Sequence, residues 1–325
     1  MDSPTIISDA RALRLEPGDR FRGWLGVGHA WFGPLQVPMF VARGARSGPK
    51  LVVIAAQHPD EVYGVLGCLD FTHEVETENL RGSVWVMPCM NVIGYISGRR
   101  FSPFDHQDMN RVFPGRADGT LTEQIAQVLV EQVLPGADLL LDLHGGSVEN
   151  GNWAFGRWTD APGKASAFPI VSAMDVNFLV TSLDTVAGSL GAETPALRVP
   201  QISIEAGWCV RYPRENAKQM TGYITTAMRC LGMIDAPPPA VRTLPFRRTI
   251  SFRAHTGGAW KTLVSMGEEV RRGQTLGVIM DLVGNIAQTA IASDDGVVCV
   301  MRTGVRIHPG ESMVTVAVLT EGAQR

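Results

Sequence analysis

The segment Leu51–Glu61 reads LVVIAAQHPDE and carries the strongest structural signal in this 325-residue chain. Its first six residues form a short, continuous apolar run rich in β-branched side chains, which is typical of a buried strand. Polar and proline residues then end the run. From Glu61 to about residue 76 apolar side chains recur at helical spacing, so His58 and Glu61 are predicted to lie where a strand turns into a helix.

Two further apolar runs lead into polar residues in the same way. Residues 138–143 read DLLLDL and are followed directly by His144, and residues 201–205 read QISIE and end in Glu205. Strand ends of this kind meet at one edge of an α/β sheet and often carry functional residues. The other predicted strands and helices of this alternating α/β unit lie at 83–87, 120–133, 164–174, 177–180 and 214–231.

The chain changes character after residue 235. Pro237-Pro238-Pro239 cannot continue a helix and favours an extended spacer, so we place a domain boundary at about residue 238. Short β-rich pieces separated by glycines then predict a small all-β domain over 239–325. Its glycine turns resemble the barrel-sandwich fold of biotinyl and lipoyl domains. Those domains carry a cofactor on a lysine, yet no lysine follows Lys261, which argues against a carrier role.

Composition excludes several classes of function. The formal net charge of -3 and a pI near 6.2 leave no broad basic face for a phosphate backbone, so no nucleic-acid partner is expected. The first residues, Met1 to Thr5, lack a positive start, and no apolar run suits a signal peptide or membrane span, which predicts a cytoplasmic protein without a membrane partner. Five single cysteines are interpreted as buried thiols: Cys68, Cys89, Cys209, Cys230 and Cys299.

The polar residues at the first two strand ends match a metal site. His58, Glu61 and His144 offer two imidazoles and a carboxylate, the ligand set of a catalytic zinc that keeps one position open. The alternative is that His58 and Glu61 are hydrogen-bonded structural residues that bind no metal. Asp142 lies on the same strand face as His144, where it would either orient that histidine or form a plain core pair. The sequence therefore predicts one zinc ion per chain.

Two longer motifs point to a known family. Residues 56–61 read AQHPDE, similar to the pattern Gly-x-His-Gly-x-Glu, with Pro59 where glycine is usual; Arg100 followed by DMNRVFPG at 108–115 is similar to an arginine followed by Asp-Leu-Asn-Arg-x-Phe-Pro-Gly. Over most of residues 50–210 the chain resembles the succinylglutamate desuccinylase and aspartoacylase family, a branch of the zinc carboxypeptidase superfamily. The resemblance implies a zinc-carboxypeptidase-like α/β/α domain with a mixed central sheet in residues 1–238, preceded by a β extension at about 1–48.

The resemblance also implies roles for the second motif. Asn110 and Arg111 would hold a substrate carboxylate, a task that suits the bidentate fork of a guanidinium. Arg100 would polarise the scissile carbonyl; we prefer it to Arg99 because the Phe-Ser-Pro that follows it, at 101–103, is similar to the family's Arg-Phe-Thr-Pro stretch. The alternative for these arginines is a solvated surface loop.

Glu205 lies in the sequence ISIEAG and resembles the family's catalytic glutamate. Such a residue takes a proton from water activated by the metal and passes it to the leaving nitrogen. The sequence therefore predicts a zinc-dependent hydrolase that cleaves the amide of a small N-acyl amino acid, with an acetyl or succinyl group. Family relatives of this two-domain kind include enzymes acting on N-acetyl-diaminobutyrate.

Two alternatives stay open: a zinc carboxypeptidase acting on short peptides, and a binding protein that kept the zinc fold without turnover. The residue that selects the substrate side chain is not determined among the candidates Arg157, Asp184 and Glu193. The family resemblance also points to a homo-oligomer, and the C-terminal domain would cover the entrance, restrict substrate size or make subunit contacts.

Overall fold

The computed structural model describes residues 5–31, 33–180, 186–208 and 213–319. Met1 to Pro4, Asp184 and Cys209, discussed above, lie outside these residues. The strands are β1 Thr5–Ile7, β2 Arg20–Ala30, β3 Gly33–Arg43, β4 Arg46–Ala55, β5 Arg81–Met87, β6 Leu139–Gly145, β7 Asn150–Thr159, β8 Phe178–Val180, β9 Gln201–Trp208, β10 Phe246–Arg253, β11 Gly258–Thr262, β12 Glu269–Val270, β13 Thr275–Met280, β14 Ile286–Ile291, β15 Gly296–Arg302, β16 Arg306–Ile307 and β17 Ser312–Leu319. The helices are α1 Tyr63–Glu74, α2 Val92–Ser97, α3 Leu121–Val128, α4 Phe168–Ser172, α5 Leu190–Glu193 and α6 Pro213–Cys230, with short 3-10 turns at Ala10–Ala12 and Met109–Arg111 and a π turn at Leu129–Val133.

A mixed sheet runs through the molecule in the order β1-β2-β3-β5-β4-β6-β9-β7-β8-β10-β17-β15-β12. Its centre, β5-β4-β6-β9, is parallel, whereas β3 and β7 pair antiparallel with the outer strands of this centre. The fold is therefore mixed α/β with a β-rich C-terminal part, as predicted. A second sheet of that part has the order β14-β13-β11-β16.

The central strand β4 is buried on both faces, as its continuous apolar sequence predicts. Leu51, Val53 and Ala55 pack into a core with side chains of α1 and α6, whereas Val52 and Ile54 pack into a second core with side chains of α3. A parallel strand covered by helices on both sides reads as an apolar run because neither face meets water. The helices thus form two layers with the sheet between them.

Two predicted helices are shorter in the structure, and one strand was missed. The first helix begins at Tyr63 rather than Glu61, because the Glu61 N–H bonds back to the His58 carbonyl in a turn. The helix predicted over 164–174 spans only Phe168–Ser172, because Asp160 accepts bonds from Ser166 and Ala167 and holds the preceding residues in a loop. Strand β7 was not predicted.

Strand β7 links the first part of the chain to its C-terminal part. It pairs with β9, β8 and β15, and the pairs β7–β8, β8–β10, β10–β17, β17–β15 and β15–β7 close a ring of five strands. The C-terminal residues therefore share a barrel with the sheet that carries β4 and β6. The domain boundary at about residue 238 stays a prediction. Among the described residues no helix has the length and apolar character needed to cross a membrane.

Helices α1 and α6 touch at Gly67, which has almost no room for a side chain. A Cβ there would lie 2.4 Å from the Met220 Cβ and 2.9 Å from the Ala217 carbonyl oxygen. We expect Gly67→Ala to lower the free energy of unfolding by about 1–3 kcal/mol, because the helices must separate. Urea unfolding measures this change.

Gly222 provides the matched control on α6. Apart from its chain neighbours and the adjacent backbone of α6, no described atom lies within 4 Å of a Cβ built there. Gly222→Ala is therefore expected to stabilise the protein by about 0.5–1 kcal/mol through helix propensity alone. Equal urea midpoints for the two variants would contradict the close packing of α1 on α6.

Candidate active site

The carboxyl ends of β4, β6 and β9 lie side by side at one sheet edge. Ala55 pairs with Leu143, and His144 pairs with Glu205, so the residues that follow or end these strands face a common space. Ala56 has φ 52°, a left-handed conformation that turns the chain off β4 towards His58. The structure thus brings together strand ends that are far apart in the sequence.

His58, Glu61 and His144 form a buried group that could hold a metal ion. The Nδ1 atoms of His58 and His144 are 3.2 Å apart. The Glu61 carboxylate lies 2.9 Å from the first Nδ1 through Oε1 and 3.0 Å from the second through Oε2. Two bonds of about 2.1 Å to one zinc ion can span up to roughly 4.2 Å between ligand atoms, so the spacing fits a shared ion.

The outer nitrogens of both imidazoles face carboxylates. His58 Nε2 lies 3.1 Å from Asp108 Oδ1, and His144 Nε2 lies 3.1 Å from Asp142 Oδ2. With its proton on Nε2, His144 donates to Asp142 and directs an Nδ1 lone pair at His58 and Glu61, whereas His58 Nε2 has both an acceptor, Asp108, and a donor, Arg100, as neighbours. Unshared electron pairs at these distances repel unless a proton or a metal cation lies among them, and two imidazole nitrogens with one carboxylate are a donor set that fits zinc.

The charges of the triad shift its ionisation. Burial alone would lower the pKa of His144, but the carboxylates of Asp142 and Glu61 raise it well above its ordinary value. Burial would raise the pKa of Glu61, yet the two imidazoles hold it far below the usual range. Loss of hydration and then the charge of Glu61 raise the pKa of Glu205. Glu205 therefore holds a proton more readily than a surface glutamate, which suits a proton acceptor.

Arg100 lies against the metal-binding group. Its Nη2 donates to Asp108 Oδ2 at 3.1 Å and lies 2.8 Å from His58 Nε2, and its Nη1 is 3.5 Å from Glu61 Oε1. Arg100 also lines the adjoining pocket, whereas Arg99 is exposed and is not among the residues that line it. The two neighbouring arginines thus have different surroundings, and Arg100 is the one beside the triad.

A pocket with a volume of about 180 Å³ opens next to the triad. Glu205 lines it, and its Oε2 accepts a hydrogen bond of 2.8 Å from the Asn152 amide. The residues that line the pocket are His58, Arg100, Asn110, Arg111, Asp142, Arg157, Trp158, Thr159, Val186, Ser189, Gly191, Gln201, Ser203 and Glu205. The pocket therefore combines three guanidinium groups with two carboxylate side chains, those of Asp142 and Glu205, and this excess of basic groups favours an anionic ligand.

Comparison with known proteins identifies the family of this chain. The sequence pattern described as the succinylglutamate desuccinylase/aspartoacylase catalytic domain matches residues 47–231. The chain belongs to the succinylglutamate desuccinylase/aspartoacylase family. The resemblance drawn from the two sequence motifs is thereby confirmed.

Several relatives match this family member over nearly its whole length. The N-alpha-acetyl-L-2,4-diaminobutyric acid deacetylase of Halomonas elongata is 25% identical over 305 residues, which cover 90% of this chain and 88% of the relative. The product-bound ectoine utilization protein EutE of Ruegeria pomeroyi has a TM-score of 0.84 at 22% identity and covers 94% and 98% of the two chains. A succinylglutamate desuccinylase of Silicibacter sp. TM1040 has a TM-score of 0.84 at 20% identity and covers 98% of each.

The sequence did not predict the contacts of several polar residues in the site. Asp108 was part of the quoted motif, but its contact with His58 was not foreseen. Gln57 and Gln201 donate to Asp142 Oδ2 at 2.6 and 3.1 Å and so hold the carboxylate that faces His144. Gln201 does share a strand face with Glu205 at even spacing, and this alternation was an available signal. Asn152 carried no such signal.

The candidates for side-chain selection are partly located. Arg157, on β7, lines the pocket, whereas Glu193, on α5, is not among the described residues that line it. Asp184 lies outside the described residues. Asn110 accepts the Leu190 N–H at 2.9 Å, which ties the second motif to the start of α5.

Proposed function

We propose that this protein is a zinc-dependent deacylase that hydrolyses the amide bond of a small N-acyl amino acid. The observation that carries the proposal is the buried group of His58, Glu61 and His144 beside a pocket lined by His58 and Glu205. The family, together with relatives whose names denote deacetylation and desuccinylation, supports an amide substrate.

His58, Glu61 and His144 would hold the ion. Zinc, when bound, makes water more acidic and polarises a carbonyl oxygen. Asp108 and Asp142 hold the two histidine rings from outside, which fixes the nitrogen that each ring turns inward. The protein therefore supplies a preformed anionic and imidazole cradle rather than a flexible one.

Glu205 is the proton acceptor of the proposal. Its carboxylate takes a proton from the attacking water and returns it to the leaving nitrogen, so that a free amine and a carboxylic acid are released. The Asn152 amide binds Oε2 of this carboxylate, which holds the group in one orientation while the carboxylate exchanges the proton. Without proton return the amine would leave as an unstable anion.

The arginines of the pocket divide the remaining tasks. Arg100 is held by Asp108 next to the triad, where its guanidinium can stabilise negative charge on the carbonyl oxygen during attack. Asn110 and Arg111 line the pocket further along and are suited to hold the α-carboxylate of the substrate. Amide and carboxylate would thus be fixed at two ends of one small pocket.

A substrate panel tests the proposed function. The zinc-loaded enzyme is expected to release amino acids from N-acetyl or N-succinyl amino acids, and to act at least about 100-fold more slowly on the matching α-carboxamides, because these cannot pair with a guanidinium. The measurement is kcat/KM from amine release. Turnover of short peptides only would identify a carboxypeptidase, and zinc binding without any turnover would contradict hydrolysis.

A further inference from the structure

Arg302 is a charged residue buried at the joint between the C-terminal strands and β7. Its side chain is 5% exposed and its Nη2 donates to Glu149 Oε2 at 2.6 Å, with Glu311 Oε2 at 3.2 Å. The same nitrogen also donates to the Arg306 carbonyl oxygen at 2.7 Å. Burial of a guanidinium is costly unless it is paired, so removal of Arg302 or of its acceptors would leave an unpaired polar group in this joint.

The backbone of Glu149, the ion-pair partner of Arg302, also accepts hydrogen bonds. Its carbonyl oxygen accepts the Thr303 N–H at 2.7 Å and the Thr303 hydroxyl at 3.1 Å. Arg302, the last residue of β15, and Thr303, which follows it, therefore bind the side chain and the main chain of Glu149. This residue immediately precedes the first residue of β7, Asn150.

The position of the first residues of β7 depends on these contacts with Glu149. On the β9 side Gly151 pairs with Trp208 and Asn152 with Gly207, and the register shifts between Asn152 and Phe155, so that ladder is interrupted directly after Asn152. On the other side β15 pairs without interruption, with Arg302 opposite Asn150 and Val300 opposite Asn152. Asn152 is therefore held between two strands, and β15 also pairs with Asn150, the residue next to Glu149. Asn152 in turn donates to Glu205 at 2.8 Å.

We propose that Arg302 is a positioning residue of the hydrolytic site: by binding Glu149 it fixes the start of β7, and with it the Asn152 amide that orients the Glu205 carboxylate. The inference rests on the proposed function, because it assigns Glu205 a proton to transfer. It gives the C-terminal β-rich part an indirect share in catalysis, through the position of Asn152. An interaction that only held the two parts together would affect stability and leave turnover unchanged.

Substitution in the full-length, zinc-loaded enzyme tests the proposal. Arg302→Met is expected to reduce kcat about tenfold or more with a small change in KM and zinc content, since a shift of about 1 Å at a reacting group is costly. Arg306→Met is the matched control. It removes a charge from the same Glu149, but the Arg306 side chain is 78% exposed and lies 3.8 Å away, so kcat should stay within about twofold.

Two further variants distinguish a loss of stability from a loss of kcat. Leu276 is fully buried in the C-terminal core, and Leu276→Ala should lower the melting temperature without lowering kcat at 25 °C. If Arg302→Met is not recovered folded, Arg302→Lys, which keeps the charge, replaces it and should show a smaller loss of kcat. An equal loss of kcat in Leu276→Ala and in the Arg302 variant, at equal melting temperature, overturns the proposal.

A double-mutant cycle tests the route through Asn152. In an Asn152→Ala background Arg302→Met should reduce kcat little further, whereas independent effects would multiply and overturn the proposed route. Amide hydrogen exchange of residues 149–153 provides a readout without substrate, and it should be faster in Arg302→Met. Unchanged exchange overturns the proposal even when the wild type is active. If the wild type hydrolyses no N-acyl amino acid, the proposed function fails, and exchange still decides whether Arg302 holds β7.

Discussion

Replacing Glu205 with glutamine is expected to reduce kcat by about 10²- to 10⁴-fold while zinc content stays at the wild-type level. The amide keeps the volume of the side chain and an oxygen for the Asn152 bond, but it cannot accept a proton from water at neutral pH. Glu205 is also not part of the group formed by His58, Glu61 and His144, so the metal cradle is left intact.

Steady-state kinetics and elemental analysis of the same preparation measure these two outcomes. Glu205→Asp is the matched control, because it keeps a carboxylate and moves it back by one methylene, and its loss of kcat should be smaller than that of the amide. Glu131→Gln removes an exposed glutamate on the π turn and should leave kcat unchanged. A fully active Glu205→Gln enzyme would falsify the assignment of the proton acceptor.

Replacing His144 with alanine is expected to abolish stoichiometric zinc and, with it, detectable turnover. Removing one of three ligands leaves Glu61 and His58 to hold the ion, which is too few for a catalytic zinc site. In the wild type added zinc should raise the melting temperature, because it binds the folded state only, and this rise should disappear in the variant. Zinc content by elemental analysis and thermal unfolding check both effects.

Two variants sharpen the test of the metal site. His73 is exposed at the end of α1, so His73→Ala should keep full zinc content and activity. Asp142→Asn keeps the ligands but weakens the carboxylate that faces His144, and zinc affinity should fall about 10- to 100-fold. Stoichiometric, tightly bound zinc in His144→Ala would show that the ligand set is wrong.

The strands that carry the site could be predicted because strands buried on both faces have continuous apolar sequences. β4 and β6 lie in the centre of a parallel sheet, where both faces are covered, so they read as continuous apolar runs. The polar residues that follow such runs, His58 and His144, stand out against them. The family motif added Asn110 and Arg111, which line the pocket.

Strand β7 could not be predicted because its signals conflict. It reads NGNWAFGRWT, with two glycines and aromatic residues that interrupt a regular alternation. Pairing with β9, β8 and β15 forms the strand in spite of this weak local preference. Consequently Asn152 was missed, although it is the hydrogen-bond partner of Glu205.

The amino-acid sequence alone determined which candidate metal-binding side chains are present and that they follow the ends of buried strands. It also determined which family the chain belongs to. Tertiary structure decided that the Nδ1 atoms of His58 and His144 face each other, and that Arg100 rather than Arg99 lies beside the triad. It also decided that Arg302 forms an ion pair with Glu149. The reason is that periodicity along a chain records burial within one element. Contacts between residues that are 153 positions apart depend on how separate elements pack, and no local pattern records that.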